Sequence, residues 1–432
     1  MPGEGIEPSR AEAHGFLRPA RLPIPPSRPG RPSVPARTIS LVLAGFLAVT
    51  TGCSGAPEEH DGPRIAFLFD GSWGDADEVT GPTLAGLRFA ALGSGDPDTI
   101  QPLNVRDEGA AELLREVAAD PAVVAVVVAP WTSPPAGAQE VLAAERMPVV
   151  SLTWSWGPPA IDAPYLRLAP DLTTEADLLV AAGGPAADVT VARCVAGDTH
   201  PTSEPLRLAV GRASARAGAS VRDAGVVDPD QAATAAAVAA RLARFGCRVV
   251  VWTGGADALD LLVEAAPEVR TVVATSRTKT EGGIGVGVTH PARRLVTVCA
   301  CADIALSRRP DLRRFVHDYQ TESGSAPGPF AIEAFDVGRW VLGTAADGRA
   351  AVAARLDLAG AIPGLLGTYR VDAEGSLLSG PTPPGAWRAF GSRWLPDAPP
   401  LTALLAASVV ARVPPRMRPD RAPIVHRPGR EA

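Results

Sequence analysis

Short apolar runs alternate with longer segments of helical periodicity from residue 64 onward. The clearest run, Pro121–Ala129, is rich in valine along its whole length, which is typical of a parallel strand buried on both faces. Similar runs predict strands at Arg64–Asp70, Pro148–Thr153, Val189–Ala196, Arg248–Trp252, Val269–Thr275, Leu295–Cys301 and Gly367–Asp372. The segments between them predict helices at Val79–Leu92, Pro134–Arg146, Leu172–Gly183, Leu206–Ala217, Gln231–Phe245, Ala256–Ala266, Pro310–Glu322 and Pro329–Ala345. These repeated strand–helix units predict an α/β fold with parallel sheets, built twice.

A different pattern marks the N-terminal region. Arg37 precedes an apolar run that ends in small residues and Cys53, which is the layout of a secretory signal. The run is too short to span a bilayer, which takes about twenty residues. The ending Thr50-Thr51-Gly52-Cys53 resembles the bacterial lipobox, whose cysteine is lipid-modified; a plain export signal is the alternative. We expect a lipoprotein signal in residues 37–53, lipidation of Cys53, a tether in residues 54–63, and a mature protein anchored to the outer face of the bacterial cytoplasmic membrane. Residues 1–36 are either a disordered extension or a mis-assigned start.

Composition indicates a globular protein and excludes several functions. About 380 residues follow the signal, more than one hydrophobic core usually supports, so two lobes are expected. The net charge of −6 argues against nucleic acid as a partner. Lys279 is the only lysine, so no other residue could serve a P-loop or a Schiff base. The six histidines are scattered, and neither a metal nor another cofactor is expected.

Four cysteines remain if Cys53 is lipidated. Cys194 and Cys247 lie on neighbouring predicted strands, so a bridge between them is compatible with an oxidising exterior. Cys299 and Cys301 alternate on one predicted strand and face the same side, so we expect no bridge between them. The alternative is that all four are small buried hydrophobic residues.

Three segments, in this order, carry a family resemblance across roughly residues 64–380. They are the valine-rich strand, hydroxyl-bearing loop and helix of Val123–Thr153, the helix pair of Leu312–Val341, and the Gly367–Gly375 ending. Together they resemble type I periplasmic binding proteins, the branched-chain amino-acid receptor group among substrate-binding lipoproteins of ABC transporters. The resemblance implies two Rossmann-like lobes with a ligand clamped in the cleft between them. We expect lobe 1 in residues 64–184 plus 306–346, lobe 2 in 185–305 plus 347–380, and a partly docked, otherwise mobile Pro- and Arg-rich tail in 381–432.

The candidate ligand contacts follow the carboxyl ends of predicted strands, where doubly wound sheets bind ligands. They are Trp73, Trp131, Thr132, Ser133, Thr153, Trp154, Ser155, Asp198, Trp252 and Gly254. Thr132 and Ser133 begin a predicted helix, whose free N–H groups favour an anion. The resemblance implies that hydroxyls at Thr132 and Ser155 hold a ligand carboxylate, with plain N-capping as the alternative. The tryptophans suit apolar, aromatic or cationic ligands, and core packing is the alternative for some of them.

Two departures from the family pattern bear on the ligand. Asp198-Thr-His-Pro-Thr202 lacks the tyrosine of the family's Asp-x-x-Tyr-Gly turn, and Pro134-Pro135 replaces small residues. A standard branched-chain amino acid is therefore not the expected ligand. Asp198 or Asp257 could pair with an amine, although solvated surface carboxylates are the commoner explanation.

The sequence thus predicts a non-enzymatic solute-binding lipoprotein. It would hand an amino-acid-like, amine or aromatic small molecule to an ABC transporter permease, its expected partner in the membrane. The alternatives are a ligand-sensing lipoprotein without a transporter and an extracellular hydrolase. The hydrolase is disfavoured because no Gly-x-Ser-x-Gly elbow is present.

Overall fold

The computed structural model describes residues 62–71, 80–93, 96–106, 109–157, 163–183, 192–278, 293–299, 301–302, 304, 307–358, 360–381, 385–390 and 393–396. Cys53, Trp73 and Lys279 lie outside these ranges, as do the predicted signal and most of the predicted tail. The expectations about them stay predictions. Among the helices of the described residues, none combines the length and the apolar character needed to cross a membrane.

The first sheet is parallel throughout. Its strands are β1 (Arg64–Phe69), β2 (Ile100–Asn104), β3 (Val123–Val128), β4 (Val149–Ser151) and β5 (Tyr165–Arg167), in the order β2-β1-β3-β4-β5. Every residue of β3 is buried, as its valine run predicts. Phe67 packs under α1 (Gly81–Leu92) on one face, whereas Leu68 packs under α2 (Ala110–Ala119) and α3 (Ala138–Ala144) on the other.

The second sheet repeats the strand order of the first. Its strands are β6 (Arg193–Asp198), β7 (Val221–Val227), β8 (Val249–Trp252), β9 (Thr271–Ala274) and β10 (Arg294–Cys299), in the order β7-β6-β8-β9-β10. On one face it is covered by α4 (Leu172–Ala182) and α5 (Ser203–Arg216), and on the other by α6 (Ala232–Phe245) and α7 (Ala256–Ala265). The sequence prediction of two parallel α/β lobes is therefore confirmed.

The division of the chain between the lobes differs from the predicted one at α4. The apolar side of this helix, which includes Leu178 and Leu179, packs in the core of the second sheet beside α5. The predicted assignment of residues 172–182 to the first lobe is therefore wrong. The lobe to which α4 belongs is determined by the sheet that buries its apolar side, and the helical pattern alone does not indicate which sheet that is.

The chain after β10 returns to the first lobe, and the segment that belongs to this lobe extends beyond residue 346, where it was predicted to end. It forms α8 (Pro310–Ser323), α9 (Ala331–Ala345), α10 (Arg349–Asp357) and a small antiparallel sheet of β11 (Ala361–Pro363), β12 (Thr368–Val371) and β13 (Leu377–Ser379). Leu356 and Tyr369 pack in the core of the first sheet, and the Arg167 N–H donates to the Gly375 carbonyl at 2.7 Å. The prediction that residues 347–380 belong to the second lobe is wrong, because their apolar side chains and backbone bonds join them to the first.

The predicted tail also begins with ordered structure. Strands β14 (Gly385–Phe390) and β15 (Arg393–Pro396) extend the second sheet, with β14 antiparallel to β10 and β15 antiparallel to β14. They cover the edge of β10, which would otherwise present unpaired N–H and C=O groups. The tail was expected to be partly docked, and these two strands are a docked part of it; the rest, apart from Pro381, lies outside the described residues.

Two glycines allow α1 and α9 to pack closely. A Cβ placed on Gly86 would lie 2.1 Å from the Ala331 carbonyl oxygen, and one on Gly338 would lie 2.8 Å from the Ala90 Cβ. Only hydrogen at these positions permits this backbone approach. The contact fixes the start of α9, and therefore the preceding residue Phe330, against the first lobe.

The cysteines form two disulfides. Cys194 in β6 pairs with Cys247 just before β8, with a Cα–Cα distance of 5.9 Å, as the sequence allowed. Cys299 pairs with Cys301 at a Cα–Cα distance of 5.1 Å, so the expectation that these two would not bridge is wrong. The reason is that β10 ends at Cys299 and the chain bends at Cys301. The two side chains therefore do not follow the alternation of a strand.

Candidate ligand-binding cleft

The carboxyl ends of the two parallel sheets meet at a closed cleft. In both sheets the strand order reverses beside the first strand, and such switch points are where doubly wound folds bind ligands. The Trp131 indole N–H, in the loop after β3, donates to the Ser276 hydroxyl, in the turn after β9, at 3.1 Å. The His200 Nε2, after β6, lies 3.9 Å from an Asp70 carboxylate oxygen, after β1. The loops that the sequence selected in the two lobes therefore do come together.

Trp131 and Phe330 form aromatic walls of this cleft. Trp131 is only 8% exposed and packs with Phe330 among apolar side chains of the second lobe. The Trp154 ring lies edge-on to it, with ring centroids 6.3 Å apart. Trp131 and Phe330 both have left-handed backbone, with φ of 61° and 63°. Strained backbone of this kind is retained where the surroundings hold it, often at ligand clamps.

The backbone at Thr132 is not the helix N-terminus that the sequence predicts. Its segment runs through Pro134 and Pro135 without helical structure, and α3 begins only at Ala138 with Gly137 as its N-cap. The expected helix N-terminus at Thr132 and Ser133 is therefore wrong, because a proline disfavours helical backbone in the residue before it and lacks an N–H. Ser133 is half-buried in this irregular segment.

The hydroxyls on the two neighbouring loops nevertheless come together. The Ser155 hydroxyl donates to the Thr132 carbonyl at 2.6 Å, and its oxygen lies 2.8 Å from the Thr153 Oγ1. The Thr132 Oγ1 and the Trp154 Nε1 are buried without a hydrogen-bond partner. An unpaired buried donor usually costs about 1–3 kcal/mol of stability, so two such donors beside one cleft are suited to an acceptor on a ligand.

Asp198 is engaged within the second lobe. Its carboxylate accepts from the Arg277 guanidinium at 3.0 Å, from the Gly255 N–H at 2.8 Å and from the His200 N–H at 3.1 Å. A Cβ on Gly254 would lie 2.7 Å from the Asp198 Cγ, so this glycine makes room for the carboxylate. These bonds satisfy Asp198 internally, and the expectation that Asp198 or Gly254 contacts ligand is not supported. Asp257, the other amine candidate, is exposed on α7.

Two of the tryptophans at strand ends are core residues. Trp252 is fully buried with Leu259 and Val272, and its indole N–H donates to the Gly255 carbonyl at 2.9 Å. Trp156 is buried with Leu142 in the first lobe. The prediction of Trp252 as a cleft contact is wrong, because the last residue of a strand can point into either face of its sheet.

His200 adds a neutral polar group to the junction of the lobes. Burial, together with the positive charges of Arg277 and Arg106, lowers its pKa to about 2. Its Nδ1 lies 2.7 Å from the Thr202 hydroxyl oxygen. Arg106 in turn donates to the Asp70 carboxylate at 2.8 Å. The imidazole therefore stays uncharged at neutral pH and contributes hydrogen bonding instead of charge.

Glu175 is a cleft residue that the sequence analysis missed. It lies in the first turn of α4, is only 4% exposed, and lines the same cavity as Trp131, Trp154 and Phe330. Burial alone raises the pKa of its carboxyl to about 8. One signal could have revealed it: Glu175 lies three and four residues before Leu178 and Leu179, so helical periodicity places it on the apolar side of the helix.

The closed cleft leaves little free space among the described residues. The cavity beside Glu175 has a volume of about 20 Å³, and one water needs about 10–15 Å³ by this measure. A group of water or ammonium size fits there. A larger molecule requires the lobes to separate by a hinge motion before they close on it.

Comparison with known proteins assigns the fold. No family model matches the sequence, and no curated protein matches it. The substrate-binding protein LivJ of a branched-chain amino acid transporter from Streptococcus pneumoniae, in complex with isoleucine, aligns over 78% of this chain and 100% of its own, with a TM-score of 0.60 and 14% identity. The leucine-binding protein LivK from Thermotoga maritima aligns over 78% and 98%, with a TM-score of 0.59 and 13% identity.

A third solved structure carries a different ligand on the same fold. It is an ABC transporter solute-binding protein from R. palustris in complex with benzoate. It aligns over 78% of this chain and 95% of its own, with a TM-score of 0.59 and 12% identity. The fold does not name the ligand, since these similar structures hold different ones. In its two lobes of repeated topology with loops meeting at a cleft, the chain has the fold of the type I periplasmic binding proteins.

Proposed function

We propose that this protein is a lipid-anchored, extracytoplasmic solute-binding protein that captures a small molecule between its lobes for an ABC transporter. One observation carries the proposal: strand-end loops of both sheets close on a cavity beside which buried polar groups of the first lobe lack partners. Buried donors without partners destabilise a protein, and a ligand acceptor would satisfy them. The solute-binding proteins of similar fold support the same role.

Capture follows from the arrangement of the loops. In the open state, a ligand would reach the Thr132 hydroxyl and the Trp154 indole N–H on the first lobe and bind through an oxygen atom. Closure then brings Ser276 and α4 of the second lobe over it and excludes water from the new hydrogen bonds. The step is binding and release, with no covalent chemistry. Residues 37–53 would direct export, and Cys53 would hold the lobes near the permease.

A ligand screen tests the proposal. The chain from residue 54 onward should gain thermal stability with a member of a panel of amino acids, amines, aromatic acids and sugars. A ligand at 100 times its Kd adds about 2.7 kcal/mol to the free energy of unfolding. A panel in which no compound shifts the Tm at millimolar concentration would contradict the proposal.

Thr132→Val separates a binding role from a structural one. Valine keeps the shape of threonine and removes the unpaired buried hydroxyl, so the ligand-free protein should be as stable as the wild type or more stable by about 1 kcal/mol. Affinity for the best compound should fall by roughly 5- to 100-fold, the loss of one buried hydrogen bond. Thr173→Val, at an exposed position in the first turn of α4, is the control and should leave affinity unchanged. Calorimetry measures both affinities, and equal loss in both variants would refute the assignment of Thr132.

Anchoring is tested separately. Wild-type protein expressed in a bacterial host with labelled palmitate should carry the label, and Cys53→Ser should not. Labelling of the Cys53→Ser protein would place the lipid elsewhere and overturn this part of the proposal.

A further inference from the structure

We propose that the C-terminal tail of this protein docks in an apolar groove on the first lobe, with residues 401–413 as the docked segment. The groove lies among α1, α8 and α9 and shares no lining residue with the cavity in the ligand cleft. The tail leaves the second lobe after β15. Docking would therefore tie the two lobes together through a contact outside the cleft, whichever ligand the cleft holds.

The groove is large and mainly apolar. Its volume is about 990 Å³, against about 20 Å³ for the cavity in the cleft. Phe89, Phe315 and Phe335 meet in it, with ring centroids 4.9 to 5.6 Å apart. Leu342 lines it as well, and so does Leu92 at the end of α1, which is 39% exposed. Contiguous apolar surface on a folded protein usually marks a place where another segment or molecule binds.

The tail contains an apolar segment that suits this groove. Residues 401–413 have leucine or valine at six positions, namely Leu401, Leu404, Leu405, Val409, Val410 and Val413. The only charged residue among them is Arg412. The segment is too short to cross a bilayer, which takes about twenty residues. Burial of these side chains is favourable, and the tether keeps the segment at a high effective concentration beside the groove.

The chain leaves the second sheet in the direction of the groove. β15 is antiparallel to β14, and β14 is antiparallel to β10, so β15 runs in the same direction as β10. Pro396 lies opposite Trp387, which lies opposite Thr297, so the end of β15 is about 10 Å from β10. After β10 the chain continues to α8, which begins at Pro310 and lines the groove.

The tail is also long enough to reach the groove. The thirteen residues after Thr297, up to and including Pro310, span at most about 45 Å when extended. The seventeen residues from Asp397 to Val413 span at most about 60 Å. The second length exceeds the first even when the separation of about 10 Å between β10 and the end of β15 is added.

Opposite charges accompany the apolar surfaces. Asp318 and Glu322 are one turn apart on α8 and line the groove. Between residues 398 and 419 the tail carries three positive charges and no negative one; they are Arg412, Arg416 and Arg418. Of the arginines that line the groove, Arg339 lies over the Phe335 ring, and Arg314 is one turn closer to the start of α8. The basic end of the docked segment is therefore expected beside Asp318 and Glu322.

Tryptic cleavage after Arg412 tests the docking. The chain from residue 54 onward is used, because it contains every described residue and the whole tail. At low protease concentration the rate of cleavage follows the fraction of tail that is undocked. Leu92→Asn should speed cleavage at least about 10-fold, which corresponds to about 1.4 kcal/mol and is within the contribution of one buried leucine. Leu208→Asn, on α5 and 51% exposed, is the matched control and should not change the rate. Equal rates in the wild type and Leu92→Asn would overturn the proposal.

A variant of the tail provides a second arm that alters no described residue. The double change Leu404→Asn and Leu405→Asn should also speed cleavage at least about 10-fold. A synthetic peptide of residues 397–416 should bind this variant at least about 10-fold more tightly than it binds the wild type, whose own tail fills the groove. No binding of the peptide to the tail variant at millimolar concentration would overturn the proposal.

Light scattering separates the tail from a second copy of the protein as the occupant of the groove. The wild type and Leu92→Asn should both be monomers. A wild-type dimer that Leu92→Asn converts to a monomer, with cleavage after Arg412 unchanged, would show that a second copy covers the groove and would overturn the proposal.

Discussion

Glu175→Gln should change how the stability of the ligand-free protein depends on pH. Burial raises the pKa of this carboxyl from 4.5 to about 8 in the folded protein. Between these values the unfolded chain carries the carboxylate and the folded protein carries the protonated acid. The folded state therefore binds more protons, and this group makes the protein less stable as the pH rises from 4.5 towards 8.

The size of this destabilisation depends on how far the pH lies above 4.5. Each pH unit above 4.5 contributes about 1.36 kcal/mol, so at pH 7 the group destabilises the folded state by about 3 kcal/mol, and at pH 5 by less than about 1 kcal/mol. Glutamine does not titrate and removes this penalty. We therefore expect Glu175→Gln to be more stable than the wild type at pH 7 and nearly equal to it at pH 5.

Urea denaturation followed by tryptophan fluorescence measures the difference at pH 5, 6 and 7. The difference in free energy of unfolding between variant and wild type should grow by about 1.4 kcal/mol per pH unit. Glu264→Gln, whose side chain is exposed, should show no such slope. A difference for Glu175→Gln that does not vary with pH would refute the reasoning, because it would mean that the carboxylate is solvated in the native state.

Two further predictions concern the scaffold. Gly86→Ala should destabilise the protein by about 1–3 kcal/mol, because its Cβ would lie 2.1 Å from a backbone oxygen. Gly211→Ala in α5 should stabilise the protein by about 0.5–1 kcal/mol, because the added Cβ would have no other atom within 4 Å. Urea denaturation of both variants checks this pair, and destabilisation of equal size in both would contradict it. Replacing Cys194 and Cys247 by serine should lower the free energy of unfolding by about 4 kcal/mol, because this disulfide closes a loop of 53 residues. Replacing Cys299 and Cys301, which are two residues apart, should lower it by only about 1 kcal/mol. Thermal unfolding of the two double variants should rank them in this order, and the reverse order would refute the loop argument.

Much of the fold could be read from periodicity. The valine run of β3 and the helix over Gly81–Leu92 lie where the sequence predicts them, because continuous burial and amphipathic repetition leave clear patterns. The assignment of residues 347–380 and of α4 to a lobe could not be read in this way. Both depend on which apolar surface covers a segment, and that surface is formed by residues far away in the chain.

The site was harder to predict than the fold. Trp131 and Thr132 lie in the loop that meets the second lobe, as their position after a buried strand predicts, and their contact with a ligand stays a prediction. The same rule wrongly predicted Trp252 as a cleft residue, since the direction of a side chain at a strand end depends on the local turn. The sequence does not show that Asp198 pairs with Arg277, because the two residues are far apart in the chain and meet only in the folded protein. Glu175 does not follow a strand end, so the rule that predicts Trp131 and Thr132 does not reach it; it lies on the buried side of α4.

The interleaving of the lobes has a consequence for how the chain is made. The first sheet lacks the covering helix α9 until residue 345 has been synthesised, and the second lacks its last two strands until residue 396. Neither half can complete its core while the ribosome is still translating the middle of the message. Such a polypeptide would stay loosely structured until its synthesis is nearly complete, which is compatible with the export that we propose.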